Sequence, residues 1–128
     1  MGIKHALRIM VVDDMATSRG LITQALDDLG IKNYVTENDG AGAYSALTRT
    51  PVHLVLSDYN MPIMNGMQLL HKLRTTPATQ KIGFILVTGK PTPEVVQQAK
   101  SLGLNNMIKK PFTTASMQKC IESVVGPL

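Results

Sequence analysis

The feature that most constrains the fold is an alternation, repeated along the chain, of short apolar runs and longer segments with helical periodicity. Such an alternation is typical of βαβ units, in which helices connect parallel strands. The predicted strands are 7–12, 34–37, 53–57, 84–88 and 106–109. The predicted helices are 16–29, 40–49, 65–74, 93–102 and 114–125. We therefore expect an α/β fold of the (βα)5 type, with helices on both faces of a doubly wound parallel sheet.

Composition separates the inner strands of this sheet from its edges. The first, third and fourth predicted strands are nearly continuous apolar sequence, as expected for strands covered by helices on both faces. The second and fifth are shorter and more polar, so we place them nearer the edges. Gly30 and Gly103 predict the ends of the first and fourth helices, and Pro93 suits a first helical turn.

Length and composition indicate one globular domain. The chain has 128 residues, of which 44% are hydrophobic and 17% charged, so we expect a single domain over residues 1–128. No apolar run approaches the roughly 18 residues of a membrane-spanning helix, and the start has no apolar stretch of secretory length. We therefore expect a cytoplasmic protein without a membrane partner. Cys120, the only cysteine, excludes an internal disulfide and is predicted to be a half-buried helix residue.

The net charge of +4 raises the question of nucleic acid. The basic residues are spread along the chain, and only three Tyr and two Phe are available for stacking, so we predict no nucleic-acid binding. From Lys90 to residue 128 the sequence has five lysines and two glutamates. This excess fits either an acidic peptide partner or solvated lysines on amphipathic helices, and both interpretations stay open.

Three aspartates lie at the predicted carboxyl ends of strands. Asp13 and Asp14 directly follow the first strand, and Asp58 directly follows the third. Neighbouring strands would bring them together, where two charges about 5 Å apart at an effective dielectric of about 20 repel by about 3 kcal/mol. Such a cluster needs a cation, and its oxygen donors suit Mg²⁺ or Mn²⁺. An equally open alternative is that Asp13 or Asp14 caps the following helix.

Two further strand ends add a hydroxyl and an ammonium group. Thr88 closes the fourth strand, and Lys110 closes the fifth just before Pro111. Alone, a strand-end Thr usually reflects β-propensity and a lone Lys is usually solvated. Together with three carboxylates they are what phosphoryl transfer to an aspartate needs, because a metal, a lysine and a hydroxyl can share the charge on the phosphoryl oxygens.

Four segments carry a resemblance to a known family. Residues 11–14 (VVDD), 57–66 (SDYNMPIMNG), 87–89 (VTG) and 110–113 (KPFT) resemble the response-regulator receiver family. Within it the chain is most similar to the stand-alone chemotaxis regulators of the CheY type. The resemblance implies a flavodoxin-like sheet with strand order 2-1-3-4-5. It also implies a phosphoprotein of a two-component, chemotaxis-type system.

The resemblance implies a role for each site residue. Asp58 would accept phosphate from a histidine kinase, and Asp14, Asp58 and the Asn60 carbonyl would hold Mg²⁺, with Asp13 acting through metal-bound water. Lys110 would pair with Asp58 and then with the phosphoryl group, and Thr88 would move to bond a phosphoryl oxygen.

Further expectations concern the backbone near the site. Pro62 and Gly66 would shape the loop after the phosphoacceptor, Gly66 because glycine tolerates positive φ in a tight turn. The bond between Lys110 and Pro111 would be cis, although only about 5–6% of X-Pro bonds are.

The implied protein is a monomeric single-domain regulator and not a conventional enzyme. Its output would be protein contact through the fourth helix, fifth strand and fifth helix, with a flagellar motor switch protein or a phosphatase as the expected class of partner. The alternative is a phosphate sink without a motor target.

The sequence departs from the family pattern at two positions. Met107, three residues before Lys110, stands where chemotaxis regulators usually carry an aromatic residue that reports phosphorylation. Lys90, two residues after Thr88, stands where an acidic residue is familiar. We therefore expect an altered output and a longer-lived phosphoryl group.

Two other classes use related folds or chemistry. An aspartyl-phosphate phosphatase of the haloacid dehalogenase type expects a second Asp two residues after the nucleophile, and here that position is Asn60. A flavin-binding module expects a Ser/Thr/Gly-rich loop after the first strand, where this chain has Asp13, Asp14 and Met15.

Overall fold

Five strands alternate with five helices in the computed structural model, which describes residues 3–128. The strands are β1 Ile9–Val12, β2 Tyr34–Glu37, β3 Leu54–Asp58, β4 Gly83–Thr88 and β5 Asn106–Lys109. The helices are α1 Ala16–Asp28, α2 Gly40–Arg49, α3 Gly66–Arg74, α4 Pro93–Ser101 and α5 Thr114–Val125. The predicted alternation is confirmed, with boundaries that differ by one or two residues.

The strands form one parallel sheet in the order β2-β1-β3-β4-β5, which confirms the fold class and the two predicted edge strands. β1 pairs with both β2 and β3, so successive strands are added on one side of β1 and then on the other. Val12 lies opposite Glu37 on one side and Ser57 on the other, so the carboxyl ends of these strands are level. Ligands of open α/β sheets bind at such a switch in strand order.

Alternating strand residues supply a core on each face of the sheet. One core packs α1 and α5 against the sheet, and the other packs α2, α3 and α4. Inner strands are apolar on both faces because both are covered. Cys120 lies in the first core and is buried, not half-buried as predicted, because α5 turns it toward the sheet. Burial raises the pKa of its thiol to about 11, so the thiol is protonated at neutral pH.

The helix ends follow the predicted stop signals. Gly30 and Gly103 have φ of 79° and 89°, directly after the C-caps of α1 and α4, and Pro93 begins α4. Helix α3 begins one residue later than predicted, because Asn65 is its N-cap and forms a capping box with Gln68.

The reason for a glycine at position 66 differs from the prediction. Gly66 is the first residue of α3 and does not have positive φ; in this loop Ile63 does, with φ of 70° and a fully exposed side chain. A Cβ on Gly66 would lie against the Asp58 carbonyl oxygen and 2.7 Å from Leu86 Cδ1. Gly66 therefore allows α3 to start directly over the end of β3.

This contact predicts that Gly66→Ala destabilises the fold by about 1–3 kcal/mol, because the new methyl group meets backbone that cannot move aside. The matched control is Gly20→Ala within α1, where a Cβ meets nothing within 4 Å. The control should stabilise the fold by about 0.5–1 kcal/mol through helix propensity. Urea denaturation measures both free energies of unfolding, and a Gly66→Ala variant as stable as the original chain would contradict the explanation.

Candidate functional site

The predicted carboxylates converge at the carboxyl edge of the sheet. One oxygen from each of Asp13, Asp14 and Asp58 lies within 4.8 Å of the others. Asp13 and Asp58 are buried, whereas Asp14 is exposed. The register explains the convergence, since Asp13 follows the Val12–Ser57 pair and Asp58 ends β3 beside it. The expected three-carboxylate cluster is therefore present, and one of its members faces solvent.

Asp13 has a buried oxygen that no hydrogen bond satisfies. Its Oδ1 accepts from the Met15 N–H at 3.0 Å, and its carbonyl accepts from Arg19 Nη1 at 2.7 Å. Its Oδ2 is buried and finds no partner among residues 3–128. A buried carboxylate oxygen in this state needs a cation or a donor from outside the protein.

The alternative in which these aspartates cap the next helix is wrong. The N-cap of α1 is Met15, and no side chain of residues 3–128 caps the helix. Asp13 and Asp14 precede the N-cap, so neither occupies it; Asp13 Oδ1 bonds the N-cap's own N–H, and one oxygen of each aspartate lies in the cluster.

Lys110 supplies the positive charge at the centre of the site. It follows β5, and its backbone N–H donates to the Thr88 carbonyl at 2.9 Å. Its Nζ donates to Asp58 Oδ1 at 2.6 Å and to Ser18 Oγ at 3.0 Å. The peptide bond to Pro111 is cis, as the family resemblance implied.

The carboxyl group of Asp58 experiences opposing influences on its pKa. Burial raises the pKa above the ordinary value of 3.8, and the negative charges of Asp13 and Asp14 raise it further. The hydrogen bond and the charge of Lys110 lower it, but less than the other influences raise it. The ionised form of Asp58 is therefore disfavoured in the fold unless more positive charge is added.

Thr88 ends β4 and is buried beside the site. Its Oγ1 accepts a hydrogen bond from the Lys90 backbone N–H at 3.2 Å, which leaves its O–H free to donate. The Lys90 side chain is exposed. Asn60 is exposed two residues after Asp58, at the start of the loop to α3.

Met107 lies apart from the carboxylates. Met107 lies on β5, pairs with Leu86 of β4, and packs, half-buried, against the core of the α2, α3 and α4 face.

Two polar residues of the site were missed from the sequence. Ser18 bonds Lys110, and Arg19 bonds the Asp13 carbonyl; both lie on the first turns of α1. The available signal was their position directly after the paired aspartates. That signal is weak, because a polar residue early in a helix is usually solvated. In addition, only the strand order shows that the start of α1 lies beside Lys110.

The donor set fits a hard divalent cation. Three carboxylates are oxygen ligands of the kind that Mg²⁺ uses together with water and a phosphoryl oxygen. The unpartnered Asp13 Oδ2 is the specific feature that such a group would satisfy.

The fold and this site define a receiver domain. The family model for the response regulator receiver domain matches residues 9–122, and the chain belongs to that family. It is a CheY-like response regulator receiver domain of two-component signalling.

The curated relatives include chemotaxis proteins of about the same length. The chain is 42% identical to the probable chemotaxis protein CheY of Rhizobium etli over 128 residues, which is 100% of this chain and 99% of the relative. It is 30% identical to chemotaxis protein CheY-3 of Vibrio cholerae, with 92% of this chain and 91% of the relative covered.

Solved structures share the fold. Chemotaxis protein CheY4 of Vibrio cholerae, crystallised at low pH, superposes with a TM-score of 0.85 and 25% identity, covering 92% of this chain and 98% of that one. The receiver domain of a sensor histidine kinase from Pseudomonas aeruginosa, which holds a magnesium ion in its active-site cleft, gives a TM-score of 0.84 at 22% identity. The match covers 94% of this chain and 98% of that chain, and the likeness shows the fold alone.

None of the helices formed by residues 3–128 combines the length and the apolar character that crossing a membrane requires.

The raised pKa of Asp58 predicts that Asp58→Asn stabilises the metal-free fold at neutral pH. Because the pKa of Asp58 is higher in the folded than in the unfolded protein, the free energy of unfolding falls as pH rises from the unfolded-state pKa through the folded-state pKa. Above both pKa values the full destabilisation is present. The variant escapes this effect, so its advantage should shrink as pH falls toward about 4. Thermal unfolding in chelator at several pH values measures the difference.

The control for this comparison is Asp39→Asn at the N-cap of α2, since Asn and Asp cap about equally well. It should be about as stable as the original chain at neutral pH. An Asp58→Asn protein that is no more stable than the original chain at neutral pH would contradict the electrostatic account.

Proposed function

We propose that this chain is a single-domain response regulator that accepts a phosphoryl group from a histidine kinase onto Asp58 and transmits the signal by protein contact. One observation carries the proposal: the Lys110 ammonium lies 2.6 Å from a buried aspartate that two further carboxylates surround. An isolated buried ion pair would not need two extra negative charges, whereas a site for a phosphoryl group and a cation does.

In this proposal the Asp58 carboxylate is the nucleophile. Lys110 binds Oδ1, which leaves the other oxygen to attack phosphorus. A bond from that oxygen to phosphorus forms while the bond from phosphorus to the histidine nitrogen breaks, and the nitrogen keeps the electron pair. Lys110 and the Thr88 hydroxyl then donate to the phosphoryl oxygens, where charge must be stabilised.

Asp13, Asp14, Asp58 and the Asn60 carbonyl are the residues that would hold Mg²⁺. When bound, the ion would neutralise charge on the carboxylates and the phosphoryl oxygens. The support is the donor set, the unpartnered Asp13 Oδ2 and the magnesium of the Pseudomonas aeruginosa receiver domain. This arrangement makes the protein a phosphorylated signalling partner and not a conventional enzyme.

The phosphatase alternative lacks its general acid. A phosphatase of the haloacid dehalogenase type would place a titratable carboxyl two residues after Asp58, and Asn60 carries an amide there. The acyl phosphate would then be the product that the protein presents and not an intermediate to be cleared rapidly.

We further propose a monomer that acts in the cytoplasm and uses α4, β5 and α5 as its output surface. The support is the similarity to chemotaxis proteins named CheY, together with exposed lysines on this part of the chain such as Lys100, Lys109 and Lys119. An acidic segment of a motor switch protein or a phosphatase is the partner class that this charge favours.

Asp58→Asn should abolish phosphorylation by acetyl phosphate or by a phosphorylated kinase. The amide is not a nucleophile of comparable strength, so intact-mass spectrometry should show the added phosphoryl mass in the original chain alone. Excess chelator should suppress labelling of the original chain because the carboxylates then repel the incoming phosphate. Full phosphorylation of the Asp58→Asn protein, or of the original chain in chelator, would refute the assignment.

Lys90→Glu should shorten the lifetime of the phosphoryl group. The Lys90 side chain is exposed two residues after Thr88, where its charge can bond a phosphoryl oxygen or obstruct the attacking water. A contribution of about 1 kcal/mol corresponds to roughly fivefold faster hydrolysis in the variant. Loss of phosphate followed by mass spectrometry measures the rate, with Lys100→Glu on α4 as the charge-matched control. Equal rates for all three proteins would show that Lys90 is a surface charge without effect.

Met107 should weaken the link between phosphorylation and the output surface. A flexible methionine can occupy its half-buried place in several rotamers of similar energy, so phosphate selects among them poorly. Beryllofluoride, a phosphoryl mimic, should shift the amide signals of 95–102 and 105–109 less than those of the loop after Asp58.

Met107→Tyr is the matched variant for this measurement, because an aromatic ring has two distinct rotamers and should enlarge the shifts of the output surface. Shifts in the original chain as large as those of the loop would show that the switch works without the aromatic ring. Weak shifts favour the phosphate sink as the second candidate function.

A further inference from the structure

We propose that Ser18 is a positioning residue for Lys110, whose hydroxyl fixes the ammonium group against Asp58. The contact itself exists in the unphosphorylated chain, and only its effect on the rate rests on the proposed function. The hydroxyl of Ser18 accepts from Lys110 Nζ at 3.0 Å while the same nitrogen donates to Asp58 at 2.6 Å.

The fold makes such a support necessary. Lys110 follows β5, and β4 separates that strand from β3, which carries Asp58. The lysine side chain therefore extends past the end of β4 to reach the carboxylate. Its four-carbon chain has many rotamers, and a single hydrogen bond at its tip fixes only one direction. Ser18, from α1, supplies a second direction.

The hydroxyl of Ser18 also departs from the usual behaviour of helical hydroxyls. Such groups commonly donate to a carbonyl three or four residues earlier. In this chain Thr48, Ser101 and Ser123 do so, at 2.8, 2.7 and 2.6 Å. The described contacts of the Ser18 hydroxyl comprise the bond from Lys110 alone. It is directed to the site and not to its own helix.

The residue type suits this task. A carboxylate at position 18 would compete with Asp58 for the ammonium charge, and an apolar side chain would offer no acceptor. A hydroxyl accepts a hydrogen bond from one of the three ammonium N–H groups without adding charge. Asp58 accepts a hydrogen bond from the second, so the third N–H can donate to a phosphoryl oxygen.

A groove beside the site leaves room for the Lys110 side chain to adopt other positions. A groove of about 410 Å³ lies between α1 and the segment after β5, and Ser18 lines it together with Lys110, Leu21 and Phe112. This space is open to alternative rotamers of the lysine. Ser18 holds the lysine on the carboxylate side of the groove.

The test compares Ser18→Ala, Ser18→Thr and the neighbouring Thr17→Ala. The first readout is the pair of Hε signals attached to Cε of Lys110 in the unphosphorylated full chain. They should be distinct in the original chain and in Ser18→Thr, and averaged in Ser18→Ala. Thr17 is exposed on the same turn of α1 and controls for any general loss of helix structure.

The second readout is phosphorylation by acetyl phosphate with Mg²⁺, resolved into a maximal rate constant and a half-saturating concentration. Ser18→Ala should lower the rate constant by about threefold to tenfold and change the half-saturating concentration by less than about twofold. Ser18→Thr should restore the rate, and Thr17→Ala should match the original chain.

The outcomes separate the two proposals. Unchanged Lys110 signals in Ser18→Ala, or an unchanged rate constant beside changed signals, would overturn the positioning role. If the original chain takes up no phosphate, the proposed function fails, and the Lys110 signals alone then decide whether Ser18 positions the ammonium group.

Discussion

The mutual repulsion of three carboxylates is the constraint on which the rest of the site depends. The fold brings oxygens of Asp13, Asp14 and Asp58 within 4.8 Å and buries two of the three residues. One lysine does not offset burial and repulsion together: burial is the largest cause of the raised pKa of Asp58, the charges of Asp13 and Asp14 add to it, and the pKa stays raised with Lys110 hydrogen-bonded to Asp58. The site thus lacks positive charge at a fixed place, which a divalent cation would supply.

The stability of the sheet is what holds these charges together. Strands β1 and β3 are covered on both faces, so a slip by one residue would move each buried side chain into the core on the opposite face, which is packed around different side chains. The repulsion therefore cannot be relieved by a slip of the strands. Gly66 adds to this by letting α3 begin against the Asp58 carbonyl, which restricts the backbone at Asp58.

Much of this arrangement could be predicted from the sequence. Continuous apolar runs located the three inner strands, because strands buried on both faces have a distinctive composition, and the alternation with helical segments located the two more polar edge strands. The carboxyl ends of the strands carried the site. Strand order came from the family resemblance, since nothing in a local pattern shows that β1 pairs with β3 as well as with β2.

Local sequence patterns did not predict the roles of Gly66 and Ser18. The role of Gly66 depends on the approach of the Asp58 carbonyl, and the role of Ser18 depends on a lysine that is remote in the sequence. The Ser18 contact joins parts of the chain that only the assembled sheet brings together, and the Gly66 contact depends on how the loop from β3 closes over the Asp58 carbonyl. Local rules predicted a turn conformation for the glycine and were wrong, because they describe a residue's own backbone and not its neighbours across the fold.

The path from the site to α4 is short and stiff. Thr88 Oγ1 accepts from the Lys90 N–H, and Pro91 and Pro93 then fix φ at two of the next positions before and within the first turn of the helix. Because that hydroxyl still has a proton to donate, Thr88 can bond a phosphoryl oxygen without giving up its contact with Lys90. Bonding a phosphoryl oxygen then does not require the segment between Thr88 and α4 to move. Met107 on β5 does not supply two distinct rotamers between which phosphorylation could select. Under the proposed function, the chemistry at Asp58 and the response of the α4, β5 and α5 surface are therefore separable, so the chain can keep the first while Met107 weakens the second.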